Sequence, residues 1–548
     1  MRRALLVLPL LAACARPSAM PAGVTPPALA AAESIYADAR ALADRAEVLE
    51  ARGLAAADDG TPVDSLVARA ARGRVAALAQ LDRAGSSGDA RLRETLRAAV
   101  LRLPEGVPVV AAAAPTDTGD ACRYDPATLA RGPEGRVQLA SRIYTCYGRA
   151  ARRIIVDGDT LDRLTVLGRL GREPDPAKRR ALFHALDPVW RSVNADGAPT
   201  SPYRTMLPLS VAQWRANGAP PAEGARALGI APDSVEPWLV RLLERWRAHT
   251  PDTLVEPWNW WYEGGRPSRV LASRLPLPRL REVNDRYYAS LGADPVALGV
   301  RYDLAPREGK TPVAFATFGR RARLTSAGWT PTEPWVFATY RTGGLDNLNE
   351  LLHETGHAVH IAAIRTRPAF LDWPDSDPLS EALGDYLALE AYEPAWQQRW
   401  LGDSVPTADA MRARYSSVMM DVAWALLEIR LHRDPTADPN AVWTAITRDY
   451  LRIAPHPELS WWAMRGQLVN VPGYMSNYAI GAIVIADVRA HTVRERGPLT
   501  GDDPGWYAWA SERLYRHGLE RTSRDVIEGF LGRPVSPLSL LAELDRLR

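Results

Sequence analysis

His353-Glu354-Thr355-Gly356-His357 is the stretch on which the reading of this chain turns. Two histidines four apart on a helix point the same way and can grip one zinc ion. The glutamate after the first then lies beside the metal's open position, where it can take a proton from water. Around the motif, Leu348, Leu352, Thr355, Val359 and Ala362 recur at three- and four-residue steps, the stripe of an amphipathic helix. Asp346 or Asn347, just after Gly343-Gly344, is placed to cap its start. The histidines fall off the stripe, so they are expected to face a cleft or another helix. The bland alternative is two buried histidines satisfied by hydrogen bonds.

A catalytic zinc needs three protein ligands and an open site. The metzincin spacing would require a glycine at 360 and a histidine at 363, where the chain has His360 and Ala363. His360 is read as a structural residue near the helix end. A thermolysin-like spacing would put a glutamate at 377, where Asp377 lies in a Pro-rich loop. A second helical pattern follows, Leu379-Ser380-Glu381-Ala382-Leu383-Gly384-Asp385-Tyr386-Leu387. Glu381 and Asp385 share one face of it. That arrangement suits Glu381 as the third ligand and Asp385 as a carboxylate that orients a zinc-bound imidazole. The alternative is a solvated helix face.

HETGHAVH followed by SEALGDYLAL resembles the zinc peptidases that include angiotensin-converting enzyme, whose pattern reads HEMGH and then HEAIGD at the same separation. Thimet oligopeptidase and oligoendopeptidase F share the HExGHxxH form. The run from Tyr302-Asp303-Leu304 through Arg307-Glu308-Gly309-Lys310 to Ala314-Phe315 resembles a segment before the active helix of the oligopeptidases. Phe530-Leu531-Gly532-Arg533-Pro534-Val535-Ser536 is similar to their terminal segment. The resemblance covers roughly residues 255–548 and implies a gluzincin metallopeptidase with zinc on His353, His357 and Glu381 and with Glu354 as base.

These families also carry a downstream histidine and tyrosines that donate hydrogen bonds to the oxyanion. The matching region is Val471-Pro472-Gly473-Tyr474-Met475-Ser476-Asn477-Tyr478, so Tyr474 and Tyr478 are the candidate donors. The histidine itself is missing, because Val469 stands at its position. His456 and His491 lack the family spacing, which leaves Gln467, Asn470 or Arg465 as substitute donors.

Met1-Arg2-Arg3, the apolar run Ala4 to Leu11 and Leu11-Ala12-Ala13-Cys14 form a short export signal. Its end resembles the bacterial lipobox, which implies cleavage before Cys14, a lipid on its thiol and a bacterial cell-envelope location facing the periplasm or exterior. Secretion without an anchor is the runner-up. In such a compartment Cys122 and Cys146 are expected to form a disulfide. Lys178 and Lys310 are the only lysines, and the arginines are dispersed, which leaves nucleic-acid binding without support.

Residues 1–13 are read as a signal peptide, 14–31 as an Ala/Pro-rich tether, 32–300 as an N-terminal helical lobe and 301–548 as the zinc-peptidase lobe. Helical patterns occupy about 32–58, 64–83, 88–102, 137–155, 175–193 and 206–248. The Trp-rich run 256–262 is either a cleft wall or ordinary core packing. Alternating residues near 300–318 and 335–340 predict strands, and the resemblance implies that Val313 to Thr317 pairs with an extended peptide. The expected fold is mainly α and two-lobed, zincin-like, with a small β-sheet beside the zinc helix and a deep substrate channel. The expected function is zinc-dependent hydrolysis of short peptides by a monomer, of peptidyl-dipeptidase or oligoendopeptidase type. The rival is a catalytically impaired lipoprotein that keeps the fold as a binding module.

Overall fold

The computed structural model describes residues 25–106, 132–217, 223–311, 313–325 and 328–547. The expected signal peptide, Cys14 and Cys122 lie outside the described residues, while Cys146 is disulfide-bonded. The architecture is mainly helical and two-lobed, as expected. Among the described residues, no helix is long and apolar enough to cross a membrane.

The first helix, Pro27–Ala51, begins inside the stretch read as a tether. Proline is well placed at a helix start, where its missing N–H has no partner to lose. This helix pairs with Val63–Ala84 and packs on the sheet, where Val48 and Ala51 meet Phe337. A buried ion pair fastens it there, Arg321 Nε to Asp44 Oδ2 at 2.8 Å, and Thr317 donates to Glu47. Glu33 accepts from Arg367 with both carboxylate oxygens. One apolar core then runs from Leu139 to Leu547 and crosses the lobe boundary expected at residue 300. Trp258 and Trp260 belong to that core, so the Trp-rich run is packing.

Three strands make the small sheet. Glu333–Phe337 is central, parallel to Arg301–Asp303 and antiparallel to Phe315–Arg320. The edge strand therefore starts two residues later than the stretch read for peptide pairing. The oligopeptidase-like run before it is an ion cage. Arg307 grips both oxygens of Asp303 at 2.7 and 2.6 Å, and buried Lys310 donates to the carbonyls of Asp303, Ala305 and Ala338. Burial lowers the Lys310 proton affinity, and Asp303 opposes that shift. The cage fixes the turn that delivers the chain to the edge strand.

Candidate active site

The motif lies on the helix Leu345–Ala363. Its start is not capped by Asp346 or Asn347; Gly344 holds the cap position and makes no side-chain bond. Nor does the helix bury a single stripe. Leu351, Leu352, Ala358, Val359 and Ile361 are all fully buried, because the sheet, the helix Leu277–Ser290 and the helix Asp377–Ala388 surround it. Its carbonyls receive extra donors, Tyr288 Oη to Leu352 at 2.6 Å and Tyr507 Oη to Val359 at 2.9 Å. These bonds pin the helix on either side of the histidines.

Two glycines let the carboxylate-bearing helix, Asp377–Ala388, approach. A Cβ on Gly356 would stand 2.4 Å from the Gly384 carbonyl oxygen. A Cβ on Gly384 would stand 2.7 Å from His357 Nε2 and 2.9 Å from His353 Cε1. Larger side chains would push the imidazoles aside. Ser376 caps this second helix, and Asn349 donates to the Ala388 carbonyl at 2.8 Å, which fixes the register of one helix on the other.

That register brings His353, His357 and Glu381 together, with one ligand atom from each inside 4.8 Å of the others. The two Nε2 atoms are 3.0 Å apart, and His353 Nε2 is 3.8 Å from Glu381 Oε2. Two nitrogens on a tetrahedral zinc at ~2.0–2.1 Å stand roughly 3.3 Å apart, so the donor set fits that ion. Asp385 Oδ1 is 2.7 Å from His353 Nδ1 and turns the other nitrogen to the cluster. Burial alone would lower the His353 proton affinity. The Asp385, Glu354 and Glu381 carboxylates outweigh it and hold the value up at about 10. His357 is pushed well down by burial and by the neighbouring His353, which suits a neutral ligand. His360 is not in the cluster; its ring lies buried between Trp373 and Tyr515.

Glu354 is buried, its Oε2 has no hydrogen-bond partner, and burial pushes its carboxyl up to about 7 against the pull of His353. It lines a cavity of about 690 Å³ with the three clustered residues, Tyr474 and Tyr478. Ala314 and Phe315, at the start of the edge strand, form part of the wall. A second cavity of about 1030 Å³ shares Ala314 and Glu350 with the first, so the two adjoin there.

Tyr474 and Tyr478 lie at and inside the start of the helix Met475–Arg496, with ring centroids 5.3 Å apart. Burial raises both hydroxyls above the ordinary tyrosine value, so they stay protonated donors. Gln467 reaches Tyr478 Oη at 3.4 Å. Val469 is wholly buried. His456 pairs with Glu256 and Glu458, His491 packs on Phe530, and Arg465 pairs with Asp421, so none of these takes the missing imidazole's place in the cavity wall. One residue absent from the sequence reading stands behind the tyrosines. Glu428, buried in the helix Thr407–Arg433, accepts the backbone N–H of Gly473 at 2.8 Å and of Met475 at 3.0 Å. A lone carboxylate after Val422-Ala423-Trp424-Ala425-Leu426-Leu427 was the available signal.

Sequence comparison finds no matching family model and no matching curated protein. Comparison of structures does find chains of similar fold. An oligoendopeptidase F solved at 3.1 Å is 17% identical with a TM-score of 0.55, over 88% of this chain and 83% of that one. PZ peptidase A, solved with an inhibitor, is 16% identical with a TM-score of 0.53, over 88% and 84%. The chain has the fold of these oligopeptidase structures over 88% of its length, beyond the residues 255–548 to which the motif resemblance extended.

Proposed function

We propose that the protein is a zinc-dependent peptidase acting on short peptides. The observation that carries this reading is the convergence of His353, His357 and Glu381 beside a buried, unpartnered Glu354 carboxylate. The fold likeness to oligoendopeptidase F and PZ peptidase supports it, and so do the two adjoining cavities of about 690 and 1030 Å³.

His353, His357 and Glu381 would hold the ion, with Asp385 fixing the His353 ring. A zinc ion there supplies Lewis acidity and brings the water pKa down to ~7. Glu354 takes the proton of the attacking water and passes it to the leaving amine, a task suited to a group poised near neutral pH. Tyr474 or Tyr478 donates its hydroxyl to the carbonyl oxygen as that oxygen gains charge. The open edge of Phe315–Arg320 offers backbone groups to an extended peptide, and adding a strand there orients the scissile bond. The channel admits unfolded chains and excludes folded ones. We further place the protein in the bacterial cell envelope, held by a lipid on Cys14, on the sequence signal alone.

Metal analysis with a quenched-peptide assay tests the reading. Bound zinc and cleavage that stops on chelation and returns with zinc are expected. Zinc without chelator-sensitive cleavage would sink the peptidase and leave a binding module.

A further inference from the structure

Glu350 stands one helical turn before Glu354 and, with Ala314, is shared by the two cavities. Leu351 and Leu352 beside it are fully buried, yet Glu350 itself is exposed into the channel. Among the described residues, the one cation that acts on its carboxylate is His353, an imidazole that must be neutral to serve as a ligand. The Tyr340 hydroxyl faces Glu350. That residue is only 5% exposed, and the Glu350 carboxylate is the group its hydroxyl is turned to. An exposed carboxylate without an ion-pair partner, with a buried hydroxyl beside it, turns its acceptor oxygens to whatever enters the channel. One ammonium or guanidinium head carries enough N–H donors to satisfy both oxygens together. Beyond the junction the second cavity carries both signs, with Arg169, Arg172, Lys178 and Arg341 facing Asp157, Asp162 and Glu173, so Glu350 is the acidic group at the junction itself.

We propose that Glu350, with Tyr340 beside it, determines specificity by receiving a lysine or arginine side chain of the peptide at the subsite between the two cavities, next to the scissile bond. This rests on the peptidase reading and names the class of substrate that the site prefers.

The full chain, loaded with zinc, is given quenched peptides in which each residue flanking the cleaved bond is varied among lysine, arginine, norleucine and glutamate. At one flanking position, lysine and arginine are expected to exceed norleucine by about tenfold in kcat/KM. Glu350→Gln should bring that ratio towards one, Glu350→Arg should turn it in favour of glutamate, and Tyr340→Phe should lower it in part. Because the ratio compares two peptides on one protein, any effect of the substitution on Glu354 cancels. A Glu350→Gln protein that cleaves with the wild-type ratio overturns the proposal. If zinc-loaded wild type cleaves nothing, the peptidase reading fails by itself, and titration with the same peptides then decides the subsite. Tighter binding of the lysine peptide, lost in Glu350→Gln, upholds it, whereas equal affinities overturn it.

Discussion

Glu428 holds the backbone N–H of Met475 at 3.0 Å from a position of almost complete burial, and its other oxygen holds Gly473. Burial pushes its carboxyl from 4.5 up to about 8, against the pull of those two N–H groups. The unfolded chain releases this proton near 4.5, so the stabilising effect of the neutral form is fully present below that pH. It is lost as pH rises to about 8 and falls no further above. Glu428→Gln removes this titration. Melting curves from pH 5 to 8.5 should show the wild type losing more stability than the variant, by about a few kcal/mol. Other buried carboxyls tilt both proteins alike, so the difference between the curves is the readout; parallel curves would refute the assignment.

Asp385 should matter through His353. With Asp385→Ala the imidazole loses the partner that turns Nε2 to the cluster, and zinc affinity should fall by about 10–100-fold. Competition with a chelator of known strength measures this, and an unaltered affinity would remove Asp385 from the role.

Gly384→Ala tests the space between the two site helices. Its Cβ would meet the rings of both His353 and His357 below 3 Å. Zinc binding should be lost or severely weakened while the far-ultraviolet circular dichroism stays helical. Normal zinc content would show that the helices can separate without cost.

Glu354→Gln should keep zinc and lose nearly all turnover. Tyr474→Phe and Tyr478→Phe should diverge, because a lost oxyanion donor costs about 10²–10³ in kcat. The tyrosine whose loss lowers kcat with KM little changed is the donor, and wild-type kcat in both variants would exclude the pair.

Much of this site was legible because its signals are local. HETGH and SEALGD each place two side chains one turn apart, and helix geometry alone aims each pair. The stripe counted around HETGH understates the burial of this helix, whose exposed positions are Asp346 and Glu350 in its first half, while the histidines off the stripe face a cavity and a second helix. Glu428 was missed for a different reason: its partners Gly473 and Met475 are more than forty residues away and are backbone groups, which carry no residue signature. Glu350 carries no local signal, because its place where two cavities adjoin is set by distant segments. The helix at Pro27 was hidden by an Ala/Pro-rich composition that suits a tether as well as a helix start. The three-residue strand pairs, Ile154–Val156 with Asp159–Leu161 and Arg323–Thr325 with Gly328–Thr330, left too few residues for an alternating pattern to register.

The clamp of the first helix on the sheet also bears on the order of folding. Asp44 waits 277 residues for Arg321, and Glu33 waits 334 for Arg367. Contacts at such separations form late, since the entropy of the intervening chain must be lost before they contribute. A helix synthesised ahead of the other described elements is thus among the last to dock, and the edge strand stays unbacked until then. Pulsed hydrogen exchange should find residues 27–51 protected after the two histidine- and carboxylate-bearing helices have formed. The chain would then assemble its chemistry before it closes the wall that presents a substrate to it.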